Sequence, residues 1–149
     1  MGYNYVELHG RRLGLDQETG RVFCAGVPFS FTMTPAAGGA NITLVTIRAV
    51  DYFGVAMSKV VNFDLWLSDA TTGAGLTATT ASGAVAAGAS GADLATLTTK
   101  KALRVQTDAT GKYILSITDT AKTAFKVCAQ VPDSGAIVVG VTLATGNYG

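Results

Sequence analysis

The residue types that most often carry catalysis or bind metal are scarce in this chain. It contains one histidine, His9, and two cysteines, Cys24 and Cys128, that lie far apart in the sequence. Zinc sites need several closely spaced cysteine or histidine ligands, and the chain has no Cys-x-x-Cys pair. Disulfide-stabilised chains usually carry more than two cysteines. We therefore expect free structural thiols, no metal and no cofactor.

Acidic residues and glycine-rich stretches offer little further chemistry. Asp64 and Asp69 are close in sequence, but Asp64 is predicted on the outward face of a strand and Asp69 in a turn. Catalysis by two carboxylates needs both groups within several ångströms of one substrate. The stretches GGAN and GAGLT lack the strand–loop–helix context of a phosphate-binding loop. The sequence therefore predicts no catalytic residues and a protein that is not an enzyme.

The composition favours a protein built from β-sheets. Of the 149 residues, 48% are hydrophobic, only 14% are charged, and 18 are glycine. Threonine, valine and small residues suit strands and turns, and the Ala-rich part is too interrupted by glycine to form a helix. The length fits one domain.

The charge balance and the hydropathy argue against two classes of partner. Eleven basic and ten acidic residues give a net charge of +1. Nucleic-acid binding needs a concentrated basic field. The densest basic patches, Arg11-Arg12 and Lys100-Lys101 with Arg104, are too small to supply one and are interpreted as solvated faces. No apolar run is long enough to span a bilayer, and the start lacks the features of a secretory signal. We expect a soluble chain made in a cytosol.

From Asn41 onward the hydrophobic residues alternate with the period of β-strands. Four such inner faces stand out: Val45, Ile47 and Ala49; Val61, Phe63, Leu65 and Leu67; Phe125, Val127, Ala129 and Val131; and Ile137, Val139, Val141 and Leu143. Regularly spaced strands of this kind predict an all-β fold, an Ig-like antiparallel β-sandwich of about seven strands in residues 41–149.

Residues 1–40 are expected to form an N-terminal arm or an edge hairpin. Their possible strands, Tyr3–Leu8, Val22–Phe23 and Phe29–Met33, are too short for an independent sheet. The charged stretch RRLGLDQETGR is rich in turn residues, and TPAAGGAN at residues 34–41 is interpreted as a linker.

A stretch rich in Gly, Ala and Thr between residues 75 and 98 is compatible with disorder or with weak strands. Strands around Val85 and Leu94–Leu97 are preferred, because the flanking segments are so regular.

The segment TDATGKYILSITDT at residues 107–120 predicts a hairpin. Asp108 and Gly111 occupy the first and fourth positions of a type I turn closed by a left-handed glycine. With the loop at 109–111, three pairs would face each other on one side: Thr107 with Tyr113, Val105 with Leu115, and Leu103 with Ile117. The turn chemistry and the hydrophobic register agree.

Two longer stretches resemble a module of tailed-bacteriophage structural proteins. They are ITLVTIRAVDYFGVAMSKVVNFDLWLSD and TDATGKYILSITDTAKTAFKVCAQV, and they lie within residues 41–143. In that module an Ig-like strand ends in Asp-(aromatic or Ala)-x-Gly, and the next strand ends in Leu-Ser-Asp. A Thr-Asp-x-x-Gly-Lys turn then leads to a Thr-Asp element and a strand that carries an aromatic residue. The segment is also similar to bacterial Ig-like repeats of adhesins. The resemblance implies an Ig-like fold in a component of a phage particle.

Six residues are candidates for an interface. Trp66 lies on the otherwise polar face of its strand, where an exposed indole would suit a partner, unless the N-terminal arm of the same chain covers it. Cys128 either meets a neighbouring subunit or lies under a loop. The other four are residues of the terminus: Tyr3, Tyr5, Val6 and Leu8. Strand addition to a neighbour's sheet would order them, as would pairing within the subunit.

The resemblance implies a virion structural protein, with a capsid cement or decoration protein as the leading hypothesis. Such a protein would be made in the bacterial host cytoplasm and would lie on the phage capsid surface. Its expected partners are the major capsid protein and copies of itself, as a homotrimer or another closed oligomer. The alternative is a tail or fibre component, or an adhesin-like module that binds the host surface. A small hydrolase, the third class, would depend on His9.

Overall fold

The computed structural model describes residues 4–8, 11–15, 22–24 and 26–149. Three strands come first: β1 Asn4–Leu8, β2 Arg11–Leu15 and β3 Val22–Cys24. They form an antiparallel sheet in the order β1-β2-β3. The expectation that the N-terminal strands are too short for an independent sheet is wrong, because β1, β2 and β3 form a sheet of their own within the described residues. Residues 11–15 lie in a strand, although their charge had indicated a turn region.

Nine further strands form two antiparallel sheets. They are β4 Ser30–Gly39, β5 Ile42–Val50, β6 Asn62–Ser68, β7 Val85–Ala87, β8 Ala92–Thr98, β9 Ala102–Gln106, β10 Lys112–Thr118, β11 Lys126–Gln130 and β12 Ile137–Thr142. A four-stranded sheet has the order β4-β5-β10-β7, and a five-stranded sheet has the order β12-β11-β6-β9-β8. A short 3-10 helix, Thr145–Asn147, follows.

The predicted all-β sandwich is confirmed. The order β4-β5-β10-β7 opposite β12-β11-β6 matches the A-B-E-D and G-F-C sheets of Ig-like sandwiches. These seven strands include β4, which lies before residue 41, whereas about seven strands were predicted from Asn41 onward; eight are present there. The hairpin β8–β9 is an insertion that extends the five-stranded sheet beside β6. The stretch between residues 75 and 98 contains the two predicted weak strands, β7 and β8.

The predicted inner faces of β5, β6 and β11 meet between the two sheets. All eleven side chains named for these faces are at most 4% exposed. β10 contributes Tyr113, Leu115 and Ile117, which are fully buried. The inner face predicted for the last strand is wrong in part. Leu143, just after β12, is buried, but Ile137 and Val141 point outward and are about half exposed, and Val138 packs against the core.

The linker predicted at residues 34–41 is wrong. β4 runs to Gly39 and pairs with β5, with Pro35 opposite Val45. Proline is tolerated here because β4 is an edge strand, where the missing N–H removes no ladder hydrogen bond. The chain reverses at Asn41, which has a φ of 61°. The sandwich therefore begins at Ser30, before the boundary predicted at residue 41.

The turn at Asp108–Gly111 is confirmed, but the hairpin predicted around it is wrong. Gly111 has a φ of +74° and its N–H donates to the carbonyl oxygen of Asp108 at 3.0 Å. The flanking strands then separate: β9 pairs with β6 and β8, and β10 pairs with β5 and β7. The side chains predicted as lateral neighbours therefore come from opposite sheets of one core. The alternation of apolar residues is the same whether two strands pair within one sheet or face each other from opposite sheets, so it cannot distinguish these arrangements.

Three crossings between the sheets use one turn design. The turns are Asp51-Tyr-Phe-Gly54, Asp108-Ala-Thr-Gly111 and Asp119-Thr-Ala-Lys122. The aspartate carbonyl accepts the N–H three residues later, at 3.0, 3.0 and 3.1 Å respectively. The carboxylate accepts the N–H four residues later, at 3.0, 3.1 and 2.8 Å. Hydrogen bonds from Ser90 and Thr110 hold the pKa of Asp108 well below its usual value.

Candidate interaction surfaces

The outer face of the five-stranded sheet carries paired polar side chains. Asp64 and Arg104 are registered neighbours on β6 and β9 and form a two-pronged ion pair, at 2.8 Å from Nε and 3.0 Å from Nη2. The Asp64 carboxylate raises the pKa of Arg104 through this hydrogen bond and its charge. Gln106 donates to Asn62 at 2.9 Å in the neighbouring pair. The polar groups of this face therefore satisfy one another.

A shallow groove of about 260 Å³ lies on this face. Its lining residues are Asn62, Phe63, Asp64, Arg104, Gln130 and Pro132. Amide, carboxylate and guanidinium groups at its rim can donate and accept hydrogen bonds to a hydroxyl-rich ligand. The two acids considered for catalysis are not brought together, because Asp64 pairs with Arg104 while Asp69 accepts from Thr77 and Ala78.

A loop, residues 69–75, lies across the other end of this face and is here called the covering loop. The indole Nε1 of Trp66 donates to the carbonyl oxygen of Gly73 at 2.9 Å. Ser68 donates to the carbonyl oxygen of Ala74 at 3.2 Å. Trp66 is half-buried, and its partner is a loop that follows its own strand. Neither of the two predicted environments for Trp66 included this contact.

Cys128 lies beneath the covering loop. Its side chain is completely buried and its thiol is free. A Cβ placed on Gly73 would lie 3.1 Å from Sγ, so the loop is in close contact with the sulfur. Burial raises the pKa of Cys128 to about 11, although Lys126 opposes the shift. Cys128 was predicted either to meet a neighbouring subunit or to lie under a loop. The structure shows the second, and the buried side chain offers no surface to a neighbouring subunit.

The outer face of the four-stranded sheet carries few charges. Its threonine-rich surface includes Thr32, Thr34, Thr46, Ser116 and Thr118, with Leu44 and Ile114 half-buried between them. Two cations, Arg48 on β5 and Lys112 on β10, are registered neighbours at one end of this face. No sequence signal marked this pair, because its members come together only through strand register.

Both edges of the five-stranded sheet expose apolar side chains. On β8, Leu94 and Leu97 are 47% and 48% exposed, and on β12, Ile137 and Val141 are 48% and 55% exposed. The one charged residue in either strand is Asp93. Its carboxylate is occupied by the Tyr113 hydroxyl at 2.6 Å and the N–H of Ala87 at 2.9 Å.

The lysines predicted to form a solvated face have a structural role. Lys100 donates from Nζ to the carbonyl oxygens of Ala81 and Ser82, at 3.3 and 3.0 Å. Lys101 donates to those of Thr77 and Ala78, at 2.8 and 3.1 Å. Together they fasten the irregular segment at residues 77–82 to the β8–β9 turn.

The N-terminal candidates are described only in part. Tyr3 and His9 lie outside the described residues, and the side chains of Tyr5, Val6, Leu8 and Cys24 do too. The backbone of β1 pairs with β2 of the same chain. Within the described ranges, no group of three His, Cys, Asp or Glu side chains is placed to hold a metal ion. Nor do those ranges contain a helix long and apolar enough to cross a membrane.

Comparison of the chain with known proteins finds no match to a family model, to a curated protein or to a solved structure. Function is therefore inferred from the sequence pattern and from the surfaces described above.

Proposed function

We propose that this chain is a non-enzymatic structural protein of a tailed-bacteriophage particle that cements or decorates the head shell. The observation that carries the proposal is the apolar edge strand β8 of the five-stranded sheet, together with the exposed aliphatic side chains of β12. β8 has one side without a hydrogen-bonded neighbour strand in the sandwich. β12 lies beside β4 of the other sheet, where a Cβ on Gly140 would be 2.7 Å from Sδ of Met33. Both strands expose large aliphatic side chains.

Natural sheet edges are usually protected against association by charges, proline or covering segments. β8 and β12 contain no Lys, Arg or Pro, and their one acid, Asp93, is already engaged. Register shifts in both strands limit the length of any strand added beside them. These edges suit short contacts with neighbouring copies, which become strong on a lattice through avidity. A closed oligomer such as a homotrimer fits this surface.

The assignment to a phage head draws on the resemblance of residues 41–143 to modules of phage structural proteins. In this proposal the major capsid protein is the partner, and the capsid surface is the location.

Copy number tests the proposal. Particles of a phage that encodes this chain are purified, and the chain is counted against the major capsid protein by quantitative mass spectrometry. Hundreds of copies per particle are expected, because a cement protein repeats with the shell. A few copies would place the chain in the tail, and its absence would refute the proposal. Leu94→Lys should lower the copy number, whereas Leu76→Lys, at a loop residue with 46% exposure, should not.

The groove on the five-stranded sheet favours a second candidate function, an adhesin-like module of a tail or fibre that binds host surface glycans. Sugar hydroxyls are well matched by the amides of Asn62 and Gln130 and by the Asp64–Arg104 pair. Binding of the chain to host cells that Asn62→Ala or Gln130→Ala abolishes would favour this candidate. Unchanged binding by both variants would remove it.

A further inference from the structure

Arg48 and Lys112 are held side by side on the outer face of the four-stranded sheet. They are registered partners of β5 and β10. The adjacent pair is hydrogen-bonded, since the N–H of Ala49 donates to the carbonyl oxygen of Gly111 at 3.0 Å. Arg48 and Lys112 therefore form a non-hydrogen-bonded pair, in which side chains are closest, with Cβ atoms about 4.5–5.5 Å apart. Like charges at this spacing repel one another.

No carboxylate relieves this repulsion in the described part of the chain. The one ion pair among the described residues joins Arg104 to Asp64 on the other sheet. Asp108 is nearby, but it bonds the backbone N–H of Lys112 and not its ammonium group. The side chains in register on this face are all uncharged.

We infer that Arg48 and Lys112 form the docking site by which this face binds the carboxylates of an acidic surface on another protein. The inference depends on the proposed function, in which that surface belongs to the head shell. Two adjacent cations in a nearly uncharged face are complementary to a cluster of acidic side chains, because guanidinium and ammonium groups form charge-assisted hydrogen bonds with carboxylates. Binding would remove a repulsion that the free chain retains.

A protein is favoured over nucleic acid as the occupant. Nucleic acid is bound by a track of basic groups along its phosphates, and this face has two. The neighbouring hydroxyls, with Leu44 and Ile114 half-buried among them, give the mixture of polar and apolar area found at protein interfaces. The opposite outer face is less suitable, because its ion pair is already complete and the covering loop crosses it.

The first test measures the thermal stability of the free chain. Arg48→Gln and Lys112→Gln should each raise the melting temperature, by roughly 1–2 °C, since each removes the repulsion. The matched control is Arg104→Gln on β9, which should lower it because an ion pair is lost. A lower melting temperature in both Arg48→Gln and Lys112→Gln would show that the two cations do not repel, and would overturn the inference.

The second test measures binding to a hexaglutamate peptide by NMR titration of the labelled full chain. Amide shifts are expected on β4, β5 and β10, and Lys112→Gln should weaken binding roughly fivefold. Lys126→Gln, a lysine of the five-stranded sheet, should leave it unchanged. Inorganic phosphate and a short DNA duplex are titrated at the same ionic strength. The inference fails if the peptide shifts nothing on this face, or if phosphate or duplex binds there more tightly.

Measuring how much of the chain is present in purified particles distinguishes a failure of this inference from a failure of the proposed function. If the wild-type chain occupies the head shell and the double variant Arg48→Gln/Lys112→Gln occupies it equally, the docking site is wrong and the function stands. If the wild-type chain is absent from particles, the function is wrong, and the peptide titration still decides what this face binds.

Discussion

Each sheet of the sandwich places an arginine on its outer face, and the two arginines have opposite surroundings. Arg104 lies beside Asp64 and is paired with it through two hydrogen bonds. Arg48 lies beside Lys112, and neither side chain has a hydrogen-bonded partner among the described residues. On one face the arginine is paired with a carboxylate, whereas on the other two cations lie together.

The difference extends beyond the arginines. The face around Arg104 has a second polar pair and the covering loop over Cys128, so much of it is closed within the chain. The face around Arg48 is rich in threonine. Burial of the apolar inner faces specifies the sandwich. It does not depend on whether the charges of the outer faces are paired, because those charges lie outside the core. This contrast is why we propose the face with the unpaired cations as the docking surface.

The largest effect is expected at the crossing that holds the two faces together, Asp108–Gly111. Gly111 and Gly54 occupy equivalent turns with the same φ of +74°. A Cβ on Gly111 would lie 2.1 Å from the carbonyl oxygen of Met57, whereas one on Gly54 would have nothing within 4 Å. Gly111→Ala should lower the free energy of unfolding by roughly 3–5 kcal/mol and Gly54→Ala by about 1–2 kcal/mol. Urea unfolding gives both values, and equal losses would contradict this account of the crossing.

The next largest effect is expected in the covering loop, which distinguishes the closed face from the open one. A Cβ on Gly73 would lie 2.9 Å from Val139 and 3.1 Å from Cys128, whereas Gly75 has open space; both have positive φ. Gly75→Ala should cost about 1–2 kcal/mol from backbone strain alone. Gly73→Ala should cost roughly 1 kcal/mol more and shift the emission of Trp66 to longer wavelength, because the loop must lift. Unchanged emission would show that the loop does not cover the indole.

A smaller effect should appear at alkaline pH. Burial raises the pKa of Cys128 to about 11, from an ordinary value of 9.0. Between these two values the unfolded chain releases the thiol proton and the folded chain keeps it, so stability falls as the pH rises through this window. We would measure melting temperatures from about pH 8.5 to about pH 10.5. Over this range the melting temperature of the wild type should fall more steeply than that of Cys128→Ala. Parallel curves would place the thiol in contact with water.

The smallest effects are the most informative about the two arginines. Double-mutant cycles measure the coupling within each pair. The cycle of Asp64→Asn with Arg104→Gln should show a favourable coupling, and that of Arg48→Gln with Lys112→Gln an unfavourable one. Both couplings should shrink in high salt, because both pairs are accessible to ions. Couplings of the same sign would remove the contrast between the faces.

The features that follow from alternation of apolar and polar residues could be predicted from the sequence. The inner faces of β5, β6 and β11 and the turn at Asp108 were predicted correctly. The first part of β4 was predicted as a strand at Phe29–Met33, but its second part was interpreted as a linker, because Pro35 and the glycines resemble one unless the strand is known to be an edge. The hairpin at residues 103–117 was wrong because apolar alternation cannot distinguish a lateral neighbour from a residue of the facing sheet.

The surfaces were harder to predict than the core. Arg48 and Lys112 belong to strands far apart in sequence and become neighbours only through the register of β5 and β10. The same is true of Lys100 and Lys101, whose carbonyl partners lie in a segment without regular structure. Predicting such contacts requires the topology of the sheets.

A three-dimensional reconstruction, at side-chain resolution, of particles of a phage that encodes this chain tests the proposed function most directly. We expect repeated copies of the sandwich on the head shell, with Arg48 and Lys112 against acidic side chains of the major capsid protein and with β8 or β12 facing neighbouring copies. A shell that lacks this sandwich would contradict the claim.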